Sequence, residues 1–125
     1  MIVISDTTPL RYLTLLGHIE LLPRLFTMTR CPDAVIRECL DPRAPQSLRT
    51  WASDLPDWVV VDAVPEADPD LSDLDDGEAA AITLGRRLRA DLLLIDERDG
   101  RRRANALGFT VAGTLNILAQ AGVRG

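Results

Sequence analysis

Two aspartates close short apolar runs. Asp6 ends Met1-Ile-Val-Ile-Ser-Asp6, and Asp96 follows Leu92-Leu-Leu-Ile95. Runs of this kind read as buried strands, so each carboxylate stands at a strand end, beside apolar neighbours and partly desolvated. Glu38 lies beside Val35 and Cys39 in helical projection. Glu78 shares a stripe with Ile82 and Gly85 at helical spacing, so it too points toward a sheet. Carboxylates drawn together repel, and a proton or a metal ion must neutralise them. Oxygen-only ligands favour Mg²⁺ or Mn²⁺ over zinc. An ion of that kind activates water and offsets charge on phosphate, so phosphodiester hydrolysis is the reaction such a set points to.

Plainer roles compete for each acid. Asp6 would serve as a cap for a helix beginning at Thr8, Glu78 as a first-turn carboxylate, and Asp96 as a cap for the helix after it. Capping leaves Glu38 unexplained. Asp73, Asp75 and Asp76 read as solvated loop charge, while Glu97 and Asp99 stay open between site and solvent. Arg98, Arg101, Arg102 and Arg103 follow Asp96 on one expected helix. Of these, Arg98 and Arg101 are expected to hold backbone phosphates. For Arg102 and Arg103 a solvated face with pairs to Glu97 and Asp99 is an equal reading.

Composition removes several chemistries. The 14 basic residues are all arginine, which excludes a Schiff-base enzyme and a P-loop NTPase. His18 is the only histidine, so a Ser-His-Asp triad is excluded. A net charge of −5 argues against coating nucleic acid by bulk attraction. Charge is also uneven: residues 54–78 hold ten carboxylates and no basic group, whereas 86–103 hold seven arginines. Cys31 and Cys39 lack metal-type neighbours and read as small apolar fillers. Trp51 and Trp58 read as core or subunit contacts. No window nears the roughly 18 apolar residues of a membrane span, and the first residues lack a basic leader. A cytoplasmic protein with no membrane partner is therefore expected. With 125 residues, 46% of them hydrophobic, one domain over 1–125 is expected.

The elements that must position the acids alternate. Strands are expected at 2–4, 28–30, 58–61, 92–95 and 109–111. The intervening helices include one capped by Thr7 or Thr8 and stopping at Gly17, one opened by Pro32, and one from about 75 to 89. An arginine-rich helix stops at Gly108, and a last one is capped by Thr114. Residues 62–75 form an acidic, proline-containing loop. Alternation of this kind implies a parallel sheet covered on both faces, with its site beyond the carboxyl ends of the strands.

Taken in order, Ile4-Ser-Asp-Thr-Thr-Pro-Leu10, Ala34-Val-Ile-Arg-Glu38, Asp76-Gly-Glu-Ala-Ala-Ala-Ile82, Leu93-Leu-Ile-Asp-Glu97 with Arg101, and Leu107-Gly with Gly113-Thr114 resemble the PIN-domain family. The nearest branch is that of bacterial toxin–antitoxin, VapC-like proteins. The resemblance implies a three-layer α/β/α fold of about five parallel strands in the order 3-2-1-4-5, with Asp6 and Asp96 as neighbours. It further implies a Mg²⁺- or Mn²⁺-dependent endoribonuclease acting on structured RNA such as tRNA or rRNA. By motif position Asp6, Glu38, Glu78 and Asp96 match the acidic metal site. Thr7 matches a hydroxyl that supports Asp6, and Glu97 stands where many relatives carry a second aspartate. A homodimer and an antitoxin whose C-terminal segment covers the site are also implied. A phosphoacceptor receiver domain would need a lysine this chain lacks. An inactive PIN-like module that only binds RNA or protein is the other reading.

Overall fold

Strands of only two to four residues persist here because the middle of the sheet is covered on both faces, and the side chains of its three central strands are nearly all buried. In the computed structural model, which describes residues 1–123, they are β1 (Val3–Ser5), β2 (Thr29–Pro32), β3 (Val59–Asp62), β4 (Leu92–Leu94) and β5 (Val111–Ala112). The helices are α1 (Thr7–Leu15), α2 (Leu21–Phe26), α3 (Asp33–Cys39), α4 (Gln46–Ser53), α5 (Asp76–Leu88), α6 (Arg98–Ala106) and α7 (Thr114–Gln120). All strand pairs are parallel, in the order β3-β2-β1-β4-β5, as the resemblance implies. The expected span 1–125 runs two residues past the described ones. No described helix is long and apolar enough to cross a membrane.

Boundaries shift by a residue or two for identifiable reasons. Trp58 precedes β3 and pairs its ring with Trp51 at 6.0 Å, both packed on the core. Phe109 precedes β5 and packs over Gly85 of α5. Gly17 (φ 74°) and Gly108 (φ 92°) take the left-handed conformation just past α1 and α6, where an L side chain is strained.

The register of β1 on β4 decides which face each residue serves. Val3 pairs with Leu92, Ile4 with Leu93, and Ser5 with Leu94. Val3, Leu92 and Leu94 join one apolar cluster with Leu10 and Leu13 of α1, Leu48 of α4 and Ile117 of α7. Ile4, Leu93 and Ile95 join a second with Ala79–Ile82 of α5 and Ala104 of α6. Ile4 and Leu93 are fully buried, each worth roughly 1.5–3 kcal/mol of transfer free energy.

Three acids of the loop, though at least partly exposed, are tied down by arginines. Arg86 binds Asp68 (2.9 Å) and Asp70 (2.8 Å), and Arg103 binds Asp73 (2.6 Å) and the Asp70 carbonyl (2.9 Å). The Asp68 N–H donates to Thr83 Oγ1 (2.9 Å), and Leu71 is fully buried. Arg103 thus pairs across the molecule, not with Glu97 or Asp99 beside it. Cys31 and Cys39 are free and buried, as apolar fillers would be.

Candidate acidic site at the sheet edge

At the carboxyl edge of the sheet, side-chain alternation sorts the acids. Asp6 follows β1 in the phase of Ile4, so it faces the α5 layer; its N–H still donates to Leu94 O at 2.9 Å. Only 2% exposed, its carboxylate is not spent on capping α1. Glu38, at the exposed rim of α3, reaches in from the side. Asp6 Oδ1 and Glu38 Oε1 each lie 2.7 Å from where a Cβ on Gly77 would stand, and Thr7 Oγ1 lies 3.2 Å from it. Gly77 is in the first turn of α5, and its missing side chain is what lets both carboxylates close in. The Thr7 hydroxyl donates to Glu38 Oε2 at 2.9 Å. Its observed partner is therefore Glu38, where the resemblance had it supporting Asp6.

Glu78 enters from the same turn of α5. Its N–H bonds Asp75 Oδ1 at 2.8 Å, which makes Asp75 the cap of the helix. The Glu78 side chain, 4% exposed, runs inward against Gly100 of α6, and its Oε2 is buried with no hydrogen-bond partner. A buried, unpartnered acceptor costs about 1–3 kcal/mol. Burial first, then the charge of Asp75, pushes the Glu78 carboxyl up to about 7. Asp6 is raised well above its ordinary value by burial, helped by Asp75, Glu78 and Glu38 and opposed by the Thr7 N–H. Glu38 is raised by partial desolvation and by Asp75 and Asp76, against bonds from Thr7 and the Gly77 N–H. None of the described ion pairs involves Asp6, Glu38 or Glu78. The cluster is short of positive charge.

Asp96 belongs to the other face. Register continues Asp6 onto Ile95, so Asp96 falls one residue out of step, in the phase of Leu94. Its Oδ1 accepts from Thr114 N (2.7 Å) and its Oδ2 from Thr114 Oγ1 (2.6 Å). Asp96 thus caps α7 from across the sheet edge and does not cap α6, the helix that follows it. Thr114 is the first residue of α7, with Gly113 at the cap position. Arg101 Nη1 donates to Ile95 O at 3.0 Å and, with Asp96 Oδ1, crowds the vacant Cβ position of Gly113. It braces the end of β4. Arg98 is exposed at the start of α6 and makes no ion pair among the described residues. Glu97 is exposed and makes no capping bond. Asp96 and Glu97 line a cleft of about 410 Å³ with Tyr12, Leu16 and Leu115, whereas Glu38 and Asp76 line two others of about 370 and 420 Å³.

The structure therefore gathers Asp6, Glu38 and Glu78 with Thr7, and holds Asp96 apart on Thr114. Sequence reasoning read Asp75 as loop charge and Thr114 as a helix cap, so it missed that Asp75 caps α5 and that Thr114 holds Asp96, and it gave no role to the three glycines that make room for the carboxylates. Gly77 and Gly100 carried a signal, because glycine inside a helix costs about 1 kcal/mol against alanine and so marks a close approach. The donor set is all oxygen and includes an orphaned buried acceptor, which fits a hard divalent cation. As the side chains lie, no three acidic, histidine or cysteine groups among the described residues enclose one ion.

A family model described as PIN domain matches residues 2–125. No curated protein matches the sequence. Among solved structures, a PilT N-terminus domain protein from the hyperthermophilic archaeon Sulfolobus solfataricus P2 is similar with a TM-score of 0.71 and 18% identity, over 96% of this chain and 92% of that one. At that identity the likeness is one of fold.

Proposed function

The chain belongs to the PIN-domain family, and from that premise we propose that it is a Mg²⁺- or Mn²⁺-dependent endoribonuclease, the toxin of a toxin–antitoxin pair. PIN domains are generally nucleases and usually use divalent metals. The observation that carries the reading is the meeting of Asp6 and Glu38 over Gly77, followed in α5 by Glu78 with its buried, unpartnered Oε2, three carboxyls that make no ion pair among the described residues.

In this reading Asp6, Glu38 and Glu78 would turn in to hold the ion; Glu97 is near enough for its charge to bear on Glu78, and Asp96 stays on Thr114. A bound divalent cation supplies a lowered water pKa and a counter-charge for the phosphate. Thr7 orients Glu38 through the Oγ1–Oε2 bond. Arg98, exposed at the head of α6 and in no ion pair among the described residues, takes a backbone phosphate; Arg101 keeps Ile95 and the end of β4 in place. The substrate is a structured RNA such as tRNA or rRNA. The partners are a second copy of the chain and an antitoxin, and the exposed Tyr12, Leu15, Leu16 and Leu115 offer apolar surface for such contacts.

One observation favours a second reading, an inactive module that binds RNA or protein: both Asp96 oxygens are committed to Thr114. Asp6→Asn separates the two. The nuclease reading expects RNA cleavage to fall at least about a hundred-fold while the melting temperature holds or rises. It also expects Mn²⁺ to stabilise the parent by about 2.7 kcal/mol at a hundred times its Kd. An inactive module gives no cleavage to lose and no response to Mn²⁺.

A further inference from the structure

Besides Arg98, a second arginine near the acids makes no ion pair among the described residues. Arg11 lies on α1 one turn beyond Thr7, on the same stripe of the helix. It is exposed and makes no ion pair among the described residues, although its cleft is lined by Glu38, Asp41, Asp75 and Asp76. The cleft's other arginine is already engaged: Arg43 binds Asp41 through Nε (3.0 Å) and Nη2 (3.1 Å). Its lining also includes the partly exposed Ala44 and Pro45, just ahead of α4. The space, about 420 Å³, is within the range of roughly 300–1,000 Å³ typical of small-ligand clefts.

These walls set the chemistry of the occupant. It needs an anionic group for a planar guanidinium, which favours the bidentate acceptance that phosphate offers. It needs an apolar face to lie on Ala44 and Pro45. It must also extend to Thr7 and Glu38, where the acids gather. A free phosphate leaves the apolar wall unused, and an apolar ligand leaves Arg11 unused. A nucleotide within a chain meets all three conditions. We infer that this cleft seats the nucleotide adjoining the bond to be cut, with Arg11 on its phosphate. The inference rests on the nuclease reading above and places the RNA on the α1–α4 side of the acids as well as beside Arg98.

The test measures binding of a short, end-labelled, single-stranded RNA of mixed sequence to Asp6→Asn protein in Mn²⁺, with and without Arg11→Ala, over a series of salt concentrations. Arg24→Ala, an exposed arginine on α2 outside the clefts described, controls for bulk charge. Loss of Arg11 is expected to weaken binding about ten-fold and to make the salt slope shallower by about 0.7, the share of one single-strand phosphate. Arg11→Lys is expected to restore the slope. In the cleaving enzyme Arg11→Ala is expected to raise KM while leaving kcat nearly unchanged. Unchanged binding and slope, or an equal loss in Arg24→Ala, overturns the subsite while the nuclease reading stands. Failure of the unsubstituted chain to bind or cleave RNA overturns the nuclease reading, and the subsite with it.

Discussion

Each of the four acids meets a glycine. The Asp6 and Glu38 heads close on Gly77, Glu78 runs against Gly100, and Asp96 crowds Gly113. Substituting Gly77 with alanine is a clean probe. The added methyl would stand 2.7 Å from an oxygen of each of two carboxylates, so the heads must move, while α5 gains about 1 kcal/mol of helix propensity. Gly77→Ala should therefore melt no lower than the parent yet cleave RNA about ten- to a hundred-fold more slowly, as when ligand-positioning groups are lost. Parent-like cleavage would show that the convergence of Asp6 and Glu38 does not matter. At this scale the sequence revealed the acids facing the α5 layer, because helical and strand phase fix a side chain's direction. The direction of Asp96 was hidden, because the register between two parallel strands is written in neither strand alone. Thr114, on which Asp96 rests, sits 18 residues further on.

Among the elements, the acidic loop ahead of α5 was the least legible. Its carboxylates, with no basic neighbour in sequence, read as solvent charge, yet Asp68, Asp70 and Asp73 are clamped by Arg86 and Arg103, 16 to 30 residues away. The pairing partners lie on α5 and α6, so only the tertiary fold brings them into reach. Both ends of the Arg86 pairs are partly exposed, so solvent screens them and their net worth is small. Arg86→Ala should lower the melting temperature by at most about 4 °C and speed amide exchange at Leu71 and Leu74, whose N–H groups form the turn bonds of this loop. Exchange as slow as in the parent would mean that the loop is held by Leu71 alone. The helices and strands themselves were legible from apolar periodicity and from Gly17, Gly108 and Pro32. Their ends moved where Trp58 and Phe109, both β-prone, were drawn off to pack on the core and over Gly85.

For the molecule as a whole, the unneutralised acids make stability depend on pH in a stated direction. Glu78 has a folded-state pKa of about 7 against an ordinary 4.5, so between those values the folded chain binds a proton that the unfolded chain releases. Stability contributed by that proton is present below 4.5 and is lost as pH rises through about 7, a difference of at most about 3 kcal/mol. Asp6 and Glu38 act in the same sense. Asp33, Asp41, Asp70 and Asp73 act oppositely: their arginine partners or backbone N–H groups hold them below the usual carboxylate value, and their contribution disappears in acid. Without added cation, the melting temperature should peak between about 4 and 7. Glu78→Gln should melt higher than the parent at pH 8 and no higher at pH 5. A parent-like profile in that variant would remove Glu78 as the source of the slope. Helix α5 is buried from Gly77 through Gly85, and Gly85 leaves room for Leu93 and Phe109 that a methyl group would contest at 3.1–3.2 Å. Two turns separate that contact from Glu78, a lever arm of about 10 Å at 1.5 Å per residue. The reach of Glu78 is thus set by a residue with no functional group at all, and mutational tolerance at Gly85 reports on how firmly the helix's far end is held.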